Sequence, residues 1–210
     1  MPERMFERIG TITETKRFEQ LGILVLDGSP SMQTAGETGA SKAEEVAAAV
    51  RDLISRLRNP RMSGNFLLSI VSYDEHVRGR LAPTPVPEID DIGDCNPLSG
   101  HSSGTAIGDA LEAAGHVAQD FLANQNSIPR SAVIVLMTDG QNTTGKDPFT
   151  VAESIKNSGQ RITICAAGYG KDIDEMMLKS LVSTPNGYKQ TDNTEELRQF
   201  FEASISVVSA

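Results

Sequence analysis

Leu21-Gly22-Ile23-Leu24-Val25-Leu26-Asp27-Gly28-Ser29-Pro30-Ser31-Met32 decides the reading of this chain. A nearly unbroken apolar run of this kind suits a central strand buried on both faces. It ends abruptly in a carboxylate followed by two hydroxyls at alternate positions, Asp-x-Ser-x-Ser. The intervening Gly28 and Pro30 are residues that turns favour. A turn at the end of a strand lets the three oxygen-bearing side chains converge. Hard oxygens suit Mg²⁺, Mn²⁺ or Ca²⁺, but three are too few for an octahedral shell, so other segments have to contribute. Two segments are able to do so. Gly104-Thr105-Ala106-Ile107-Gly108 opens a predicted helix with a hydroxyl residue, and Val133-Ile134-Val135-Leu136-Met137-Thr138-Asp139-Gly140 is a second apolar strand ending in a carboxylate.

Outward from these motifs, strand and helix alternate. Predicted strands cover 21–26, 66–73, 133–137, 161–167 and 187–191. Ser41-Lys42-Ala43-Glu44 has capping-box spacing ahead of Val46, Val50, Leu53 and Leu57 on one helical face, in a helix expected to end at Asn59-Pro60. A helix from about Ala106 carries Ile107, Leu111, Ala114, Val117 and Phe121. Asp147-Pro148 reads as an N-cap with Pro at the first helical position, and Gly159 as the stop. Further helices are expected over 172–182, with Glu175 in capping-box register, and from Thr194 onward. The strand Val77 to Leu81 follows the second strand too closely for a helical crossover, so it should pair antiparallel at a sheet edge. Residues 82–103 read as one long loop. The expected fold is therefore α/β: a doubly wound, Rossmann-like, mostly parallel six-stranded sheet with one short antiparallel edge strand and helices on both faces. Residues 1–19 read as an N-terminal extension with a short strand near Thr11 to Thr15, and 20–210 as a single domain. In such sheets ligands bind beyond the carboxyl ends of strands where the strand order reverses, and Asp27 and Asp139 both stand at such ends.

Composition bounds the function. With 210 residues, 39% hydrophobic and 22% charged, the chain has the makings of one globular domain with a substantial core. Its formal net charge of −9 disfavours nucleic acid and anionic membranes as partners. No apolar run is long enough to span a membrane, and the first eight residues lack the apolar core of a signal peptide, so a cytoplasmic location is expected. Cys95 and Cys165 do not suggest a disulfide framework or a metal-binding pair.

The five positions Asp27, Ser29, Ser31, Thr105 and Asp139, in that order, resemble the metal-ion-dependent adhesion site (MIDAS) of von Willebrand factor A domains, and the resemblance covers the chain from Leu21 onward. It implies that Ser29 and Ser31 bind the metal directly, Thr105 directly in the ligand-bound form, and Asp27 and Asp139 largely through water. Pro30 departs from the commonest motif, which has Gly there. The segments 166–174 and 197–206 are similar to bacterial intracellular A domains of the tellurium-resistance TerY type, which implies a setting in stress or kinase- and phosphatase-linked signalling. A divalent ion held mostly by neutral hydroxyls keeps much of its charge, so the expected ligand is an Asp or Glu of a partner protein.

Competing readings are weaker. Gly100-His101-Ser102-Ser103-Gly104 matches the nucleophile-elbow pattern, but a proline- and aspartate-rich loop rather than a strand precedes it, and the only later histidine, His116, lies on the helix expected directly afterwards. Asp90, Asp91 and Asp94 do not have EF-hand spacing and read as a solvated cluster; Asp74 is a candidate neighbour of the site. Met176 and Met177 read as core. No general base, nucleophile or phosphate cradle accompanies the metal motif, so the chain is expected not to be an enzyme. The alternatives are a metal-dependent hydrolase of phosphate esters, in which the cation polarises a phosphoryl oxygen, and a domain whose metal only fixes loops.

Overall fold

The computed structural model describes residues 18–58, 63–90, 95–98, 103–123, 128–171 and 173–206. The expectations for 1–17, for Asp91 and Asp94, and for the His101 motif lie outside these residues. Six strands form one sheet: β1 (Glu19–Asp27), β2 (Phe66–Tyr73), β3 (Val77–Pro85), β4 (Arg130–Thr138), β5 (Ile162–Tyr169) and β6 (Tyr188–Thr191), in the order β3-β2-β1-β4-β5-β6. All pairings are parallel except β2 with β3. Among the described residues, five α-helices, α1 (Lys42–Leu57), α2 (Ile107–Ala123), α3 (Pro148–Lys156), α4 (Glu175–Leu181) and α5 (Thr194–Ser206), cover the two faces.

The period-two geometry of β1 divides its buried run between two cores. Leu21, Ile23 and Val25 join Ile134 and Leu136 of β4 beneath α2, α3 and α4; Leu24 and Leu26 join Val133, Val135 and Met137 beneath α1 and α5. Each such side chain, fully removed from water, contributes about 1.5–3 kcal/mol, so β1 anchors both layers. Beside Gly22 a Cβ would sit only 2.9 Å from Ile205, so the missing side chain lets α5 close over the strand. Arg198, also on α5, is 4% exposed and pairs with Asp52 of α1 at 3.1 Å and with Glu195 and Glu202 of its own helix, which ties the two helices of that face together.

Several boundaries differ from the sequence reading. β1 begins at Glu19, two residues early, where Glu19 pairs with Arg130 at 2.7 Å. β3 runs on to Pro85 and a 3₁₀ turn follows at Val86–Glu88, so the long loop starts later than expected. Pro83 and Pro85 are tolerated because β3 is an edge strand with one unpaired side. Helix α4 starts at Glu175, capped by the Asp174 side chain accepting from Met177 N. Met176 is 84% exposed and not core, whereas Met177 packs against the α2–α4 side. Both cysteines are buried. Among the described residues, no helix is long and apolar enough to cross a membrane.

Candidate metal centre

The order of the strands places β1 between β2 and β4, so successive crossovers leave β1 in opposite directions and open a crevice at its carboxyl end. Asp27 is the last residue of β1, and Asp139 directly follows β4. After Asp27 the chain bends sharply. Gly28 N donates to Tyr73 O at 2.6 Å, and a Cβ on Gly28 would lie 2.2 Å from the carbonyl oxygen of Pro97, so only glycine fits. Pro30 then occupies the first position of a 3₁₀ turn, Pro30–Gln33, where its fixed φ is already helical. That makes Pro compatible with this place in the motif. The turn presents Ser31 outward while Met32 anchors it in the core.

Three oxygens meet at the mouth of the crevice. Ser29 Oγ and Ser31 Oγ are 3.0 Å apart, and Ser31 Oγ donates to Asp139 Oδ1 at 2.6 Å. Asp27 lies one layer deeper and is fully buried: its Oδ1 accepts from Ser29 N at 2.8 Å and its Oδ2 from Thr138 Oγ1 at 2.5 Å. Burial pushes the Asp27 carboxyl up to about 6 against the pull of the bonds from Ser29 and Thr138, with the nearby Asp139 charge adding a smaller push upward. Thr105 lies in the segment before α2 and is 8% exposed. Its backbone is stitched to the loop after Asp139: Thr105 N donates to Thr143 Oγ1 at 2.9 Å, and Thr143 N to Thr105 O at 3.0 Å. Asn142 Oδ1 from the same loop accepts from Ile107 N at 2.9 Å and so serves the first turn of α2. The structure thus joins Asp27, Ser29, Ser31 and Asp139 through direct hydrogen bonds and brings Thr105 alongside through the backbone of the Asp139 loop.

Asp74 accepts with its side chain from His76 N and Arg78 Nη1, both at 2.7 Å, in the β2–β3 turn. Its backbone carbonyl accepts from Ala106 N at 2.7 Å and holds the Thr105 segment from the other side.

Three participants escaped the sequence reading. Thr138 looks, in the sequence, like one more residue of an apolar strand. Lys42 Nζ lies 2.7 Å from Asp139 Oδ2, with its side chain 15% exposed. The loop between Gln33 and Ser41 folds back on itself, with Gly36 N donating to Ala40 O and Lys42 N to Thr34 O, and this delivers Lys42 to the crevice. The third is Glu45, which is 3% exposed and accepts from Thr38 N at 2.6 Å, Thr38 Oγ1 at 2.7 Å and Tyr169 Oη at 2.5 Å, pinning that loop to β5. A signal for Lys42 existed: a cation in the first turn of a helix opposes the helix dipole and calls for a compensating anion.

The donor set suits a hard divalent cation. Adjacent ligands of an octahedral Mg²⁺ at about 2.1 Å are about 3.0 Å apart, which is the Ser29–Ser31 separation. Among the described residues no three His, Cys, Asp or Glu side chains group to hold a metal, so a cation here has to draw on hydroxyls.

The von Willebrand factor type A domain profile matches residues 23–203, and the chain belongs to that family. Proximal thread matrix protein 1 from the mussel byssus, in a structure with a zinc-occupied MIDAS motif, superposes with a TM-score of 0.68 at 20% identity over 90% of this chain and 47% of that one. BatB from Bacteroides thetaiotaomicron, a conserved hypothetical protein, gives 0.66 at 17% identity over 89% and 97%. The pilus adhesin SpaC from Lactobacillus rhamnosus GG in its open conformation gives 0.71 at 13% over 89% and 29%. At these identities the likeness is one of fold, and this chain spans about half the length of the mussel protein. No curated protein matches it.

Proposed function

We propose that this domain, taken as residues 20–210, is a protein-interaction module in which Ser29, Ser31 and Thr105, backed by Asp27 and Asp139, hold Mg²⁺ or a similar divalent ion, and that the ion takes up an Asp or Glu side chain of a partner protein. The observation that carries this reading is the convergence of two serine hydroxyls and the Asp139 carboxylate within 2.6–3.0 Å at the switch point of the sheet. When bound, the ion supplies an uncompensated positive charge to an incoming carboxylate. Asp27 acts from beneath by fixing Ser29 N and Thr138, and the Thr105 segment is tied to the loop after Asp139 through Thr143. A cytoplasmic setting is supported by the sparing use of cysteine, two in 210 residues, and a role in tellurium-resistance-like or kinase- and phosphatase-linked stress signalling by the TerY-type resemblance.

Calorimetric titration of chelator-stripped protein with Mg²⁺, Mn²⁺ and Ca²⁺, followed by a poly-glutamate peptide, tests the reading. Wild type should bind at least one ion and, once loaded, the peptide. Ser31→Ala, which removes an exposed hydroxyl and leaves the core intact, should weaken both by about tenfold or more, which is about 1.4 kcal/mol. Metal binding without any peptide binding would favour an ion that only fixes loops. Metal-dependent turnover of a phosphate ester, lost in Ser31→Ala, would replace the interaction module by the hydrolase.

A further inference from the structure

Lys42 stands in an unusual place. It is the first residue of α1, directly after the Ser41 cap, where the unsatisfied N–H groups and the helix dipole repel a cation. Its ammonium nevertheless lies within the crevice, 2.7 Å from Asp139 Oδ2, while Asp139 Oδ1 is taken by Ser31. Asp139 is 1% exposed, and a buried carboxylate of this kind needs a positive partner.

Lys42 also borders a cavity of about 470 Å³ on the β5 side, lined by Thr34, Glu37, Tyr169, Gly170, Lys171 and Asp192 among others. Its Nζ lies 3.4 Å from where a Cβ on Gly170 would be, so the side chain spans the wall between Asp139 and this cavity. The cavity holds two carboxylates, Glu37 and Asp192, against the single ammonium of Lys171, so its lining has room for the positive charge of a displaced Lys42.

We propose that Lys42 is a built-in counter-ion: it neutralises Asp139 in the metal-free protein, competes with the divalent ion for that carboxylate, and swings toward the Glu37–Asp192 cavity when the ion binds. The inference rests on the metal reading above and adds a regulatory element to it. Two cations cannot share one small anionic crevice without mutual repulsion, so the ammonium sets a threshold for metal uptake. The same residue keeps the metal-free site from collapsing around an unpaired buried charge.

Lys42→Met and Lys42→Arg, compared with wild type, separate the possibilities. In chelator, Lys42→Met should melt about 4–8 °C below wild type, because Asp139 loses its partner. In saturating Mn²⁺ that gap should close, and calorimetry should show Lys42→Met binding Mn²⁺ about tenfold more tightly than wild type. Lys42→Arg, which keeps the charge, should stay near wild type in both. If Lys42→Met unfolds in chelator yet folds with Mn²⁺, the proposal stands. If it fails to fold in both, melts like wild type in chelator, or binds Mn²⁺ no more tightly while wild type binds normally, the counter-ion role is wrong and the metal reading survives. If neither wild type nor variant binds Mn²⁺ at millimolar concentrations, the metal reading falls and this inference with it.

Discussion

In chelator at pH 8, Asp27→Asn should be more stable to unfolding than wild type by about 2–3 kcal/mol, although it alters a residue at the heart of the candidate site. The reason is burial. Asp27 is fully enclosed, and desolvation raises its carboxyl to about 6 from an ordinary value of 3.8, more than the bonds from Ser29 and Thr138 restore. A group whose folded value is raised binds its proton more tightly in the native state, so native stability is greatest below the unfolded value. It declines as pH rises from about 4 to about 6 and then levels off. Asparagine keeps an oxygen for Ser29 N and presents an N–H to Thr138 Oγ1, which also accepts from Gly140 N at 3.2 Å, so the variant keeps a bond at each position without the charge. Denaturant unfolding of both proteins in chelator, at intervals from pH 4 to pH 8, measures the difference. Wild-type stability that does not fall across that window, or an asparagine variant no more stable at pH 8, would refute the argument. On the proposed metal reading the order reverses in Mg²⁺, because wild type gains stability from the ion and the neutral amide gains much less.

That reversal expresses why the site was partly legible in the sequence. A strand as apolar as Leu21 to Leu26 does not end in a buried carboxylate unless something compensates for it, and Asp27, Ser29, Ser31 and Asp139 are found together at the crevice. The fold was legible for the same reason: continuous apolar runs mark strands covered on both faces, and β2 spans Phe66–Tyr73 as its pattern predicts. The capping boxes and Pro positions identified α1 and α3, since these act within four residues of each other. What escaped depends on chain segments far apart. Thr138 reads as one more β-branched strand residue until β4 lies beside β1. Met176, at helical spacing from Leu181, looks apolar and buried, yet α4 is only seven residues long and leaves its first turn in solvent. The prolines of 82–85 suggested a loop because periodicity alone cannot tell an edge strand, which tolerates them, from irregular chain.

Glu45→Ala should be the most damaging single substitution outside the apolar core, lowering stability by about 2–4 kcal/mol and loosening the loop that carries Lys42. Glu45 sits in the first turn of α1, where a carboxylate is favoured by the helix dipole, and it is 3% exposed. It accepts three hydrogen bonds, from Thr38 N, Thr38 Oγ1 and Tyr169 Oη. Truncation strands the hydroxyl of Tyr169, itself 1% exposed, and leaves residues 36–40 without their tie to β5. Burial works against the Glu45 charge, but the bonds from Tyr169 and Thr38 outweigh it and hold the carboxyl below its usual range. The sign is therefore opposite to that of Asp27: this contribution is complete above the ordinary glutamate value and is lost as the solution is acidified below it. Glu45→Gln separates charge from shape, since its carbonyl can still accept from both Thr38 donors while its amide donates to Tyr169 Oη instead of accepting from it. It should lose less than Glu45→Ala and show no acid-dependent change from this position. Hydrogen exchange then locates the damage. In Glu45→Ala the amide of Thr38 should exchange faster than the change in global stability allows, whereas the amides of β1 and β4 should follow global stability alone. If Thr38 exchange keeps pace with global unfolding, Glu45 is only a core residue and the loop is held by other contacts.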